Sequence, residues 1–357
     1  MDFIRITKRD NLSRKKEILI TLLAIVLSIV FAGIILLIFG LNPFEIFKEI
    51  IMGSVGTGLR VKQTIVKAVP LIITSMGIIV AFKMKFWNIG AEGQITMGAL
   101  GASWVALNLS PNLPQPVMLL LMMIGAAVCG GIWAFIPAIF KAKLGTNETI
   151  FTLMMNYVAI KFVTYLQYGP WMDPAANGFP KIAMFPDNAV LPKLGGVNIG
   201  WILAILAAAF VYFFMNYTKK GYEITVVGES IETARYAGMN ISRIIVVAML
   251  ISGGLCGITG MIQASAIEKT LVYGIANGYG FTAIITAWLS KLNAGYAVAV
   301  CAVFAMLLHG GQYIQIALGV PSAVSDIVQG LILFFVLGSE FFMRYRVHIG
   351  RNSKEVA

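Results

Sequence analysis

Apolar residues in this chain come in long blocks separated by short polar breaks, and most blocks have the length of a bilayer-crossing helix. Ile18–Leu41 holds 24 uncharged residues, longer than the apolar core of a secretory signal, with no clear small-residue cleavage site after it. It predicts a retained first span. Thr64–Phe82 predicts a second despite Lys67 and Pro70. No charge falls between Gly93 and Phe140, but Pro111, Pro114 and Pro116 divide that stretch because clustered prolines cannot continue a helix. The result is a span near Asn88–Leu109 and another near Val117–Phe140. Further spans are predicted at Glu148–Gln167, Ile199–Tyr217, Ile244–Ile267, about Thr270–Ser290, Ala294–His309 and about Ser325–Met343. The eighth of these is interrupted by Gly274, Gly278 and Gly280. The pattern predicts an all-α, polytopic membrane helix bundle of about ten transmembrane helices, some broken at glycine. Residues 1–16 form a basic tail, 17–343 the transmembrane domain and 344–357 a second tail. The two longest polar stretches, Tyr168–Asn198 and 218–243, fall on opposite sides.

Composition supports a membrane location. Hydrophobic residues make up 59% of the chain and charged residues 12%, against about 25% charged in soluble domains. The net charge of +11 would suit nucleic acid if it lay along one face, but the basic residues sit in short clusters between apolar blocks. With both termini cytoplasmic, 19 Lys/Arg fall on the inner side and 6 on the outer, out of 27 in all. That asymmetry predicts an N-in, C-in topology. Cys129, Cys256 and Cys301 each lie inside an apolar block and predict small buried hydrophobes, not a disulfide or metal set.

Catalytic signatures are missing from the sequence. There is no G-x-x-x-x-G-K-[ST] loop for ATP and no H-E-x-x-H; the histidines are His309 and His348. No cluster of deep carboxylates suggests ion coupling. Neither cofactor nor metal is called for. Ile251-Ser-Gly-Gly-Leu255 lies mid-span, where its glycines suit helix packing. Candidate solute contacts gather at two glycine breaks. Trp87, Asn88, Glu92 and Gln94 lie at the first, and Asn277, Tyr279 and Phe281 at the second. Asn156 and Tyr157 lie midway along the fifth span. Trp87 and Phe281 offer flat faces for a base or sugar ring, although Trp87 beside Lys83 and Lys85 also fits an interface anchor. Glu92 also fits a helix cap or a lysine partner. Lys161, about 20 Å along the helix from Glu148, is expected to snorkel outward. In the 218–243 loop, Ser230 predicts the cap of a short helix, with Glu232 in its first turn and Gly238 at its end.

Asn88-Ile-Gly-Ala-Glu-Gly-Gln-Ile-Thr-Met-Gly-Ala resembles the signature of the type II ABC-importer permeases related to the branched-chain amino acid and ribose permeases, and its N-I-G-x-E-G-Q form resembles the nucleoside branch. Asn147-Glu-Thr-Ile-Phe-Thr-Leu-Met-Met-Asn-Tyr157 is similar to a second block of that branch. Gly278-Tyr-Gly-Phe-Thr-Ala-Ile, Lys291-Leu-Asn293, Gly319-Val-Pro-Ser and Asp326-Ile-Val-Gln-Gly330 resemble its C-terminal blocks. Val227-Gly-Glu and Ala234-Arg-Tyr-Ala-Gly238 look like its coupling helix. The resemblance implies a subunit of a bacterial cytoplasmic-membrane importer that carries nucleosides. Its partners would be an ABC ATPase with two nucleotide-binding domains, a second permease and an external solute-binding protein. It also implies that Glu229, Ser230, Thr233, Ala234, Arg235, Tyr236, Ala237 and Gly238 dock on the ATPase, and that the Trp87–Gln94 block lines the path. Trp288 and Ser290 depart from the smaller or glycine residues expected there, which would narrow the pore or alter selectivity. Simple sugars or amino acids are the nearest alternative solutes, and an ion-coupled secondary transporter is a distant alternative.

Overall fold

The computed structural model describes residues 4–8, 14–109, 112–321 and 323–349. The rest of both predicted tails, part of the Pro111 break and Ser322 of the Gly319 block lie outside these. The chain divides into two compact units, one formed by its two ends up to Arg60 and from Met306, the other by Val61–Ala305.

In the terminal unit, α1 (Arg14–Ile38) lies against α13 (Ala323–Arg344), with Phe31 and Phe335 ring centroids 5.7 Å apart. Strand β1 (Ile4–Lys8) pairs antiparallel with β4 (Tyr345–Ile349). The described residues nearest the two ends of the chain are therefore neighbours. After α1 the chain turns by 117° into α2 (Pro43–Val55). Asn42 caps α2 by accepting the Phe44 N–H at 3.1 Å, and Pro43 takes the first helical position, where its missing N–H costs nothing. Ile46 and Ile50 of α2 join Leu36, Ile314, Val320 and Val324 in one apolar cluster. Arg60 donates to the Tyr313 hydroxyl at 2.9 Å and to the Met52 carbonyl at 3.0 Å, which ties the end of α2 to the second half of α12 (Ala294–Leu318).

The central unit is built on α4 (Ala91–Asn108), α5 (Gln115–Leu144) and α10 (Ile241–Ile262), which pack closely on one another, and on α3 (Gly58–Lys83), whose second half is almost wholly buried. Small residues allow the close approach. A Cβ at Gly98 would strike the backbone of Gly257, one at Gly257 the carbonyl of Ala126, and one at Gly253 the side chain of Ala134. The Gly253/Gly257 pair anticipated in Ile251–Leu255 and its neighbours is thus a packing seam. Cys256 and Cys301 are buried and Cys129 half-buried, all three free. Around this core lie α6 (Glu148–Tyr168), α7 (Gly200–Tyr217), α8 (Lys219–Glu229) and α9 (Ile231–Tyr236) of the 218–243 loop, and α11 (Tyr279–Leu289). Between α6 and α7 the proline-rich stretch forms short turns and a two-residue ladder, β2 (Lys193–Leu194) with β3 (Val197–Asn198).

The architecture is all-α and membrane-spanning. Six helices among the described residues are long and apolar enough to cross a bilayer, or seven if the bent α1–α2 pair is one span. Ten is not reached by length and apolarity alone among the described residues, and for two of the predicted spans the reason is visible. α4 opens on Glu92 and Gln94 and contains Gly93, Gly98 and Gly101. The eighth predicted span is helical only from Tyr279. α10 continues as a π-helical stretch, Gln263–Glu268, turns at Lys269 and Gly274, and only then enters α11. At 11 residues, α11 rises about 16 Å, half the apolar thickness of a bilayer.

A side chain larger than hydrogen at the seam should be costly. Gly257→Leu should destabilise the protein by about 3 kcal/mol, visible as a lower unfolding temperature of the detergent-solubilised chain. Gly58→Leu, where no atom lies within 4 Å of the new Cβ, should leave it unchanged.

Candidate functional site

The segment between α3 and α4 leaves the helix at Lys83 and re-enters at Ala91, so its buried backbone groups need partners outside the helix ladder. Polar side chains supply them. Asn88 Nδ2 donates to Gln94 Oε1 at 3.2 Å and to Ser252 Oγ at 3.1 Å, while Gln94 Nε2 donates back to Asn88 Oδ1 at 3.0 Å. The Gly90 N–H also donates to Asn88 Oδ1, at 3.0 Å. Asn156 on α6 accepts the Gly93 N–H at 2.8 Å and donates to the Ile89 carbonyl at 2.8 Å. Thr152, one turn earlier, accepts the Ile89 N–H at 3.1 Å. Asn88, Gln94, Asn156 and Thr152 are all buried. Ser252 and Thr152 were not singled out from the sequence. Ser252 stood inside the glycine seam, and Thr152 sits one turn before Asn156 on the same face.

Glu92 is the centre of a second knot. Its two carboxylate oxygens accept the N–H groups of Gly278 at 2.7 Å and Gly280 at 2.8 Å, at the start of α11. The helix cap foreseen for Glu92 is therefore real, but the helix is α11, 186 residues on. Gly278 has φ +75, a conformation other residues rarely adopt, and a Cβ at Gly280 would strike the Glu92 backbone. These interactions hold the two glycine breaks together.

The remaining candidates face outward. Trp87 is 41% exposed and Phe281 43%. Asn277 is exposed at φ +48. Tyr279, by contrast, is buried. Trp87 stacks on Trp288, centroids 5.3 Å apart and planes 27° apart, with Phe82 tilted against both. Trp288, noted in the sequence only as a departure from the expected small residue, completes an aromatic face beside the first break. On α6, Tyr157 is 63% exposed, and Lys161 and Tyr165 are exposed on the same side. Glu148 at the start of α6 is held by Lys141 at 2.8 Å.

The 218–243 loop folds as two helices. Ser230 Oγ accepts the Thr233 N–H at 3.2 Å and so caps α9, Glu232 and Arg235 pair at 3.3 Å, and Gly238 ends the turn at φ +71. The short capped helix expected from Ser230 to Gly238 is present. Ala234 is its one buried residue, whereas Glu229, Thr233, Arg235, Ala237 and Gly238 are exposed and Tyr236 is 98% exposed. Behind it, a Cβ at Gly228 of α8 would strike the Lys83 carbonyl, so α8 rests on the backbone at the end of α3.

Residues 60–337 match the protein family described as branched-chain amino acid transport system / permease component. Among curated proteins, the chain is 34% identical to the glucose ABC transporter permease protein TsgB13 of Haloferax volcanii, over 92% of this chain and 89% of that one. It is 32% identical to the guanosine ABC transporter permease protein NupP of Bacillus subtilis, over 91% and 94%. It is 29% identical to the nucleoside ABC transporter permease protein NupB of Lactococcus lactis subsp. cremoris, over 91% and 92%.

The Glu92 knot gives a direct test. Glu92→Gln keeps the size but offers only one acceptor oxygen, so one N–H at the start of α11 loses its partner. Stability should fall by about 1–3 kcal/mol, measured as a lower midpoint of thermal unfolding. Hydrogen exchange should rise at residues 274–282 and not in α5.

Proposed function

From the premise that this chain belongs to the family of ABC-transporter permease components related to the branched-chain amino acid system, we propose that it is one permease half of a bacterial cytoplasmic-membrane importer for nucleosides. An ABC ATPase would power it, and an external solute-binding protein would supply it. The observation that carries the path is the outward face of α6. Lys161, the fourteenth residue of a 21-residue apolar helix, is exposed, with Tyr157 and Tyr165 beside it. A bare ammonium at that depth does not face acyl chains. Side chains in a helix lean toward its N-terminus, here the inner end by the charge asymmetry, so the outward snorkel expected for Lys161 is disfavoured. Water, or a second permease that completes a water-lined path, satisfies it.

The buried members of the first break, Asn88, Glu92, Gln94 and Asn156, then serve as scaffold for the path, and Trp87, Tyr157, Asn277 and Phe281 remain as surfaces a solute meets. The aromatic face of Trp87 and Trp288 favours a solute with a flat ring, since stacking on an aromatic side chain contributes about 1–3 kcal/mol per base. The names of the guanosine and nucleoside relatives agree with this preference. The glucose relative keeps simple sugars as the alternative.

The lever is assigned to α9. A six-residue helix with a fully projecting tyrosine is a poor surface element unless something covers it. In the assembled importer a groove on the ATPase would receive Tyr236 and Arg235. ATP-driven closure of the ATPase pair would push on α9, and the spans around the glycine breaks would rock between outward- and inward-open states. The chain supplies the route and the lever, and bond cleavage would belong to the ATPase.

Cells lacking this chain should lose uptake of labelled guanosine and uridine, with ribose and glucose uptake unaffected. Loss of sugar uptake with nucleoside uptake intact would move the assignment to sugars. Trp288→Ala should raise the half-saturating nucleoside concentration about tenfold, the equivalent of ~1.4 kcal/mol.

In reconstituted importer, Arg235→Ala with Tyr236→Ala should cut transport at least about tenfold while ATP hydrolysis continues. Transport at the wild-type rate per ATP would remove the lever.

A further inference from the structure

Where α3, α7, α8 and the turn before α12 meet, the chain leaves a cavity of about 280 Å³. Its polar lining comes from Lys83, Asn216, Tyr222, Thr225 and Asn293. None of the lining residues is acidic, and among the described residues Lys83 forms no ion pair. The nearest acid on α8, Glu223, is already paired with Lys220 at 2.6 Å.

Hydrogen bonding leaves mostly donors free. Asn293 uses its Oδ1 to accept the Gly295 N–H at 2.9 Å and the Tyr296 N–H at 3.3 Å, so its amide NH₂ is left for a ligand. Asn216 donates one N–H to the Tyr212 carbonyl at 2.8 Å and keeps a second. Thr225 directs its hydroxyl to the Gly221 carbonyl at 3.0 Å and is withdrawn. A lysine ammonium, two amide NH₂ groups and a phenol that converge with no carboxylate make a site for an anion with several acceptor oxygens. Lys219 and Lys291 lie within three residues of lining positions in the sequence and add positive charge nearby.

The opposite wall is apolar: Ile79, Met215 and Leu292. Free phosphate would gain nothing from that wall, whereas the glycerol and first methylenes of a lipid would cover it. The cavity also sits at the ends of two spans, beside the exposed rings of Tyr212, Tyr217 and Tyr222, the arrangement found at headgroup level. We propose that this cavity binds the phosphodiester headgroup of an anionic phospholipid from the inner leaflet. Basic pockets between spans on the cytoplasmic side take such headgroups. Occupancy ties the end of α3 to α8, the helix that carries α9.

The test is native mass spectrometry of the purified full-length chain in detergent, titrated separately with phosphatidylglycerol, phosphatidylcholine and inorganic phosphate. Phosphatidylglycerol should bind in preference to phosphatidylcholine. Lys83→Gln should weaken phosphatidylglycerol about fivefold; Lys83→Arg and the control Lys85→Gln should keep it. Equal binding of the two lipids by the wild-type chain overturns the proposal without reference to any variant. So does unchanged binding by Lys83→Gln with a wild-type unfolding temperature. Displacement of phosphatidylglycerol by an equal concentration of inorganic phosphate would assign the site to a free anion and overturn the lipid source.

Discussion

The structure depends on a rule of the bilayer: a backbone that leaves the helix at membrane depth must find its hydrogen bonds inside the protein. This chain breaks its helices twice, before α4 and before α11, and each break helps to satisfy the other. Glu92 rises from the first and accepts two backbone N–H groups at the second. Asn156 reaches from α6 to both an N–H and a carbonyl of the first. Neither break could be removed without leaving polar groups of the other unpaired, at about 1–3 kcal/mol for each buried group. The polar residues therefore act as a keystone, and their burial follows from that role.

Glycine makes the keystone reachable. The Asn88–Ser252 bond at 3.1 Å joins the first break to α10, where α4, α5 and α10 pack almost backbone to backbone through the Gly98–Gly257 and Gly130–Gly253 contacts. Lipid tails provide no hydrophobic drive for such packing, so contact area and interhelical hydrogen bonds must supply it. The Thr74–Thr259 hydroxyl pair at 3.0 Å adds one such bond between α3 and α10.

Much of this was legible in the chain, because bilayer length and apolar runs dictate where helices form. Ser230 and Gly238 bracket α9 as their capping chemistry requires. The direction of the polar side chains was less legible. Asn88, Glu92 and Gln94 occupy a glycine-rich stretch whose one-dimensional pattern does not separate facing a path from facing a neighbouring backbone. Asn88 finds Ser252, 164 residues away, and Gln94 finds Asn88. The eighth block looked long enough to cross because apolar content does not register the positive-φ turns at Gly274, Asn277 and Gly278, which hold its helix back to Tyr279. α2 went unnoticed although Asn42-Pro43 carries a good start signal, because an amphipathic helix lying against its own unit lacks the unbroken apolar run of a span.

The same contacts bear on how a push at α9 would travel. Gly228 sets α8 directly on the Lys83–Met84 backbone, with no side chain between to absorb a displacement. The next residues in sequence lead through Trp87 to Asn88, which is hydrogen-bonded to both α4 and α10. Close-packed backbone contacts transmit strain because they have no free volume in which to relax it. A movement of α9 therefore meets, within a few residues of chain, the aromatic face where a flat solute would rest and the knot that holds the two breaks together. Under the proposed lever, this short connection would let a six-residue helix act on the path.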